Sequence, residues 1–145
     1  MRLSSDYVRD MLDAEIAKSL EQHWEKGWNG RDLETIMAPF AADVVFVSPF
    51  VGRLTGDPAQ TSVRGYDALR AYVADALRRA GDIRYQVDAT FVGSESVILA
   101  YTCVFRDGSR RTGADSMRTD ETGKVVDWRC HYTFDRSEVD EMIRP

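Results

Sequence analysis

Val8, Leu12, Ile16, Leu20 and Trp24 recur every fourth residue, a spacing that puts all five on one slowly drifting face of a helix running from Ser5 to Trp28. The stretch Gly27 to Gly30 ends it. Asp32 then stands as N-cap to a shorter helix that carries Leu33, Ile36, Met37 and Phe40 along one side, with Pro39 near its end. Asp43 to Pro49 is short, β-branched and closed by proline, which predicts a strand. Residues 50 to 64 show little periodicity and hold Gly52, Gly56 and Pro58, so they read as a loop long enough to form a lid or rim. After Gly65 helical spacing returns with Leu69, Tyr72, Val73, Ala76 and Leu77, and Gly81 supplies a stop. Four strands follow at about 83–92, 96–106, 110–119 and 124–134, separated by Gly93-Ser94, Asp107-Gly108 and Thr122-Gly123, the turn chemistry of successive hairpins. The order of elements is therefore ααβαββββ, an α+β fold.

With 145 residues, no repeat and no linker, one domain over residues 1–145 is expected. Apolar residues make up 43% and charged residues 30%, which excludes both a disordered chain and a continuous membrane span. The N-terminus has no apolar signal-peptide core behind its charge, so a soluble cytoplasmic protein is expected. Two cysteines, Cys103 and Cys130, fall inside apolar strands, where free thiols pack as small hydrophobes, and a disulfide is the weaker reading. Two histidines with no close His/Cys spacing give no metal site. A formal charge of −5 offers nothing to nucleic acid, and the small cluster Arg78-Arg79 with Arg84 reads as a solvated helix end. No organic cofactor is expected, because no glycine-rich phosphate fingerprint follows a strand.

The order of elements, with Asn29-Gly30-Arg31-Asp32, Phe40-Ala41-Ala42-Asp43-Val44-Val45-Phe46, Val63-Arg64-Gly65-Tyr66-Asp67-Ala68-Leu69 and Thr119-Asp120-Glu121-Thr122-Gly123-Lys124-Val125, resembles the nuclear transport factor 2-like superfamily, including ketosteroid isomerases and SnoaL-like polyketide cyclases. The resemblance covers most of the chain. It implies a cone-shaped roll in which three helices in the N-terminal half close one side of a curved antiparallel sheet around a pocket. It also implies a homodimer through the outer sheet face. Shared so widely, such a fold says little about chemistry.

Alternation in the last strand sets Val126, Trp128, Cys130, Tyr132 and Phe134 on one face and Asp127, Arg129, His131 and Thr133 on the other. In the preceding strand the resemblance puts Asp115 and Met117 inside the cone, at the position of the aspartic acid that helps to form the isomerases' oxyanion hole. Burial there would raise its pKa and make it a proton donor; the alternative is a rim aspartate paired with Arg111 or Arg129. The other isomerase groups are missing. Their base falls on Ser48, before Pro49, and their helix-1 tyrosine falls on Trp24. Ser48 would orient an oxygen or water, or simply bond the nearby backbone. His23 is the remaining acid/base candidate, set against a structural histidine at the margin of the helix stripe. His131 belongs to the outer face.

Trp24, Trp28, Phe46, Tyr72, Tyr101, Trp128 and Tyr132, together with Met117, form the expected wall for a small hydrophobic ring compound, although each aromatic taken alone reads as core. Trp24 and Trp128 are expected on opposite walls. Two functions follow: an acid/base enzyme of cyclase, isomerase or dehydratase type working through Asp115, or a non-catalytic binding or dimerisation module that has lost the base.

Overall fold

A computed structural model describes residues 12–133; Val8, Phe134 and the expected helix start at Ser5 lie outside the described residues. Helix α1 (Ala14–Gly30) begins where the Asp13 carboxylate accepts from the Glu15 N–H, and buries Ala17 together with Leu20 and Trp24 of the stripe read from the sequence, whose Leu12 and Ile16 are partly buried. It continues through Gly27 and stops only at Arg31, whose φ of 54° is left-handed. Asp32 caps α2 (Leu33–Met37) by accepting from the Glu34 and Thr35 N–H groups. Phe40 is not part of this helix. After Pro39 the chain extends at once, and Phe40 opens strand β1 (Phe40–Val47) by pairing with Val125.

The expected loop at 50–64 contains two further elements. Helix α3 (Val51–Thr55) and strand β2 (Ser62–Arg64) are too short for a hydrophobic period to mark them. Gly52 lets this segment fold tightly on itself, since a Cβ there would stand 2.7 Å from the Asp57 carbonyl oxygen. Helix α4 (Tyr66–Ala80) then leads to strands β3 (Arg84–Val92), β4 (Ser96–Val104), β5 (Arg110–Thr119) and β6 (Val125–Tyr132). β4 ends earlier than expected, because Phe105 turns to donate its N–H to Ser109. None of the described helices is long and apolar enough to cross a membrane.

The strands form one open sheet in the order β2-β1-β6-β5-β4-β3, antiparallel except that β1 runs parallel to β6. Register shifts at Val87/Ala89 in β3, at Arg118/Thr119 in β5 and within β1 bend the sheet around the helices. The shift opposite β6 also reverses one expectation: Val125, not Val126, is the fully buried residue at the start of β6, and alternation holds only from Trp128 on. One core joins Leu20 and Trp24 of α1, Met37 of α2, Leu69 and Val73 of α4, and the inner faces of β1, β4, β5 and β6.

Candidate functional site

The concave side of the sheet does not close on the helices. Between α1, α3, α4 and the inner faces of β3 to β6 lies a cavity of about 460 Å3. Its depth is set by β5, on which Asp115, 1% exposed, points inward from the middle of the sheet. The resemblance put it on that face, and helix α1 and the neighbouring strands β4 and β6 supply its partners. The Trp24 and Trp128 indole N–H groups both donate to Oδ2, at 3.0 and 2.9 Å, and the Tyr101 hydroxyl donates to Oδ1 at 2.9 Å. Trp24 and Trp128 therefore do not face each other across the chamber; they converge on one oxygen. Asp115 is not paired with Arg129, which holds Asp127 at 2.9 Å on the outer face.

Burial raises the Asp115 pKa above the usual carboxylate range, and donors from Trp128, Tyr101, Trp24 and Cys130 pull it back without cancelling that effect. An indole N–H can only donate. With both lone pairs of Oδ2 taken by indoles, the carboxyl proton has its place on Oδ1, next to the Tyr101 hydroxyl. Tyr101, placed among its neighbours with both faces of its strand apolar, proves to be a buried inward residue whose ring lies tilted against Trp24, 4.4 Å between ring centres. Its seat depends on its register partner Gly113: a Cβ there would stand 2.8 Å from both the Tyr101 Cζ and its hydroxyl oxygen.

A second polar spot lies at the end of β1. Ser48 is buried, and its hydroxyl accepts from the Phe50 N–H at 3.2 Å. The same hydroxyl bears on the Tyr72 and Tyr132 phenols, both of whose pKa values burial raises first of all. Phe46, Tyr72, Trp28 and Tyr132 line the cavity with Trp24 and Trp128, and Phe46 bridges them, 4.4 Å from Trp128 and 5.1 Å from Tyr72 between ring centres. The Trp28 indole N–H is the one buried side-chain donor or acceptor without a partner among the described residues.

Two candidates are not part of this lining. Met117 lies 2% exposed beneath Trp128, at a recess of only about 10 Å3 shared with Leu20, Ile36 and Phe40, so it fills core instead of touching a ligand. His23 turns back along α1, its Nδ1 donating to the Ser19 carbonyl at 2.8 Å, and does not reach the cavity. His131 lies on the outer face, as alternation placed it, with Nδ1 3.2 Å from the Ala114 carbonyl.

Several lining residues were not singled out from the sequence. Cys130 was placed on the inner face as inert packing, yet its thiol bears on Asp115; burial first, and then the Asp115 charge, push its pKa well up. Cys103 is pushed up to about 12 by burial, then by Asp115. Both thiols are free. Tyr85 sits edge-on to Trp24 at 5.5 Å, and Phe50, Arg53 and Leu54 enter from α3 and the residue before it, inside the segment read as a loop. Arg111, offered by the sequence only as a partner for Asp115, shares that residue's strand face and also lines the cavity. Among the described residues no group of three or more His, Cys, Asp or Glu side chains is placed to hold a metal ion.

The sequence profile of the SnoaL-like domain matches residues 20–143. No curated protein matches. Among solved structures, the chain is similar to a SnoaL-like protein of unknown function from Burkholderia thailandensis, with 26% identity over 86% of this chain and 99% of that one and a TM-score of 0.74. It is also similar in fold to a protein from Kribbella flavida provisionally named a ketosteroid isomerase, at 17% identity over 83% and 80% of the two chains and a TM-score of 0.65. A provisionally named isomerase of the SnoaL-like family from Agrobacterium tumefaciens shares the fold at 13% identity over 83% and 99%, again with a TM-score of 0.65.

Proposed function

The chain belongs to the SnoaL-like family, within the nuclear transport factor 2-like superfamily whose members include isomerases and cyclases, and from that premise we propose that it binds a small hydrophobic ring compound in its cavity and acts on it by proton transfer. The observation that carries this reading is one carboxyl, 1% exposed, gripped by two indoles and a phenol on the wall of a cavity of about 460 Å3. Such a volume suits a ring compound of two to four rings, and the aromatic lining suits its faces.

The hydrogen bonds support one set of roles. Protonated on Oδ1, Asp115 donates to the Tyr101 oxygen, which frees the Tyr101 O–H to turn toward a ligand carbonyl or hydroxyl. As the ligand oxygen takes the Tyr101 proton, Tyr101 regains one from Asp115, and the carboxylate left behind is held by both indole N–H groups. The Ser48, Tyr72 and Tyr132 hydroxyls orient a second oxygen. This is the acid half of a cyclase, isomerase or dehydratase step.

The second reading is a binding module without turnover. Ser48 supports it, because the resemblance places the isomerase base there and a serine cannot carry that proton unaided. Tryptophan fluorescence during titration with polycyclic ketones and phenols, followed by product analysis, separates the two. Quenching with conversion is expected of the enzyme, conversion being lost but binding kept in Tyr101→Phe. Quenching without conversion makes the protein a binder. Ligands that bind equally well after Trp128→Arg, which puts a charge into the chamber, would refute the pocket assignment.

A further inference from the structure

Four phenols line the cavity, those of Tyr72, Tyr85, Tyr101 and Tyr132, and three of them have partners. Tyr101 bonds Asp115, while Tyr72 and Tyr132 share the Ser48 hydroxyl. The Tyr85 hydroxyl bonds to no group among the described residues, although the rest of that residue is held firmly. Its backbone exchanges both hydrogen bonds with the Asn29 side chain at 2.7 Å, and its ring is wedged between Trp24, edge-on at 5.5 Å between ring centres, and Trp28 at 5.6 Å. Burial raises its pKa, so the hydroxyl is a neutral donor at physiological pH. The neighbouring Trp28 indole N–H is unpartnered among the described residues as well but buried outright, so on this wall it is Tyr85 that meets a ligand. Solvent in the cavity satisfies such a hydroxyl. A ring compound that fills the cavity displaces that solvent, and where it offers only carbon the O–H is left without an acceptor.

On the reading that this cavity holds a ring compound, we infer that Tyr85 is a specificity residue for a further oxygen on it: the ligand is a fused-ring phenol or ketone with one oxygen at Tyr101 and another, a hydroxyl or carbonyl, at Tyr85. The two phenols serve different atoms. Tyr101 leans from β4 onto β5, where its hydroxyl takes the place that a Cβ on Gly113 would need, whereas Tyr85 rises from β3 on the other side of β4. β3 and β5 are two strand spacings apart, about 10 Å at ~4.8 Å each, which suits substituents at opposite ends of two fused rings. The Ser48 group stands on the far side again, at the end of β1, so it does not compete for the same oxygen. Because the Tyr85 ring is already fixed by Trp24, Trp28 and Asn29, its hydroxyl makes this bond without first having to be ordered.

Calorimetric titration of the full chain with 2,6-dihydroxynaphthalene and with 2-hydroxynaphthalene, in the parent and in Tyr85→Phe, tests this beside the thermal midpoint of each free protein. The diol is expected to bind the parent about tenfold more tightly than the single alcohol, and Tyr85→Phe to bind the two within about twofold of each other. The midpoint of Tyr85→Phe should equal that of the parent, because the hydroxyl removed bonds to nothing in the fold, whereas Tyr101→Phe, which takes a donor from Asp115, should lower it. A parent without preference for the diol, or a preference that survives in Tyr85→Phe, would overturn the inference and leave the cavity reading standing. A lowered midpoint in Tyr85→Phe would overturn it too, since the hydroxyl would then have its partner inside the protein. If neither compound binds, the cavity reading itself falls, and this inference with it.

Discussion

Two opposing forces act on the Asp115 proton. Burial disfavours the charge; two indoles, a phenol and a thiol favour it, and burial is the larger. An unfolded aspartate titrates near pH ~3.9, so above that value the folded protein holds a proton that the unfolded chain has released. Stability therefore falls as pH rises from about 4 toward the folded pKa, and the deficit remains at neutral pH. Asp115→Asn copies the protonated group, its oxygen accepting both indoles and its amide donating to Tyr101. Its urea midpoint should lie above that of the parent at pH 7, with the gain gone below pH ~4. A lower midpoint at pH 7 would mean that the donors win and the carboxylate is charged. Asp115→Leu strands two indole N–H groups and a phenol, and should cost about 3 kcal/mol or more at either pH. Of these partners the sequence disclosed the residue types, and the resemblance disclosed the inward position of Asp115. That Trp24 and Trp128 meet on one oxygen depends on how α1 crosses β5 and β6, which no local pattern records.

The segment Asn29-Gly30-Arg31-Asp32, read first as a signature of resemblance, is a joint between elements. Asn29 behaves like a short strand, donating to the Tyr85 carbonyl and accepting from the Tyr85 N–H, each at 2.7 Å, which ties the end of α1 to β3. Arg31 turns the chain and reaches the last turn of α4, donating to the Leu77 and Gly81 carbonyls, and Asp32 starts α2. The joint fixes where Trp28 and Tyr85 meet, 5.6 Å between ring centres on the cavity wall. Asn29→Ala should lower stability by about 1–2 kcal/mol, seen as an earlier thermal midpoint, and Asn29→Asp, which keeps the acceptor alone, should lose roughly half of that. An unchanged midpoint in Asn29→Ala would remove the joint from the account. Long elements were legible because α1, α4 and β3 to β6 repeat their period several times. α3 and β2, with five and three residues, complete a single period and never repeat it, and β1 begins early because its first pairing is with Val125, far along the chain.

At the scale of the molecule the outer sheet face remains. Phe91 is 59% and Ile98 42% exposed, and they are cross-strand partners on β3 and β4. Beside them run Ala114, Ser116 and Arg118 of β5 and Arg129, His131 and Thr133 at and just beyond β6, the mixed surface expected from alternation. An apolar pair toward the β3 edge of such a face suits a second copy of the same chain, the residues of one meeting those of the other around a two-fold axis. We propose that dimer. Sedimentation at micromolar concentration should give twice the chain mass, and Phe91→Lys should give a folded monomer. A monomeric parent protein would refute it.

By itself the sequence determined the order of the long elements, though not α3 or β2, the apolar stripe of α1, the inward face of β6 from Trp128 on, and the caps at Asp32 and Gly81. All of these follow from steric and hydrophobic rules acting over a few residues. Only the tertiary structure decided that Met117 fills core while Arg111, on the same strand face, lines the cavity, and that His23 bonds its own helix. It also decided that Val125 displaces Val126 inside. Each of these turns on a quantity that is not local: the shift in register opposite β6, the depth along β5 at which the helices stop covering the sheet, and the angle at which α1 brings Trp24 to a carboxylate 91 residues away.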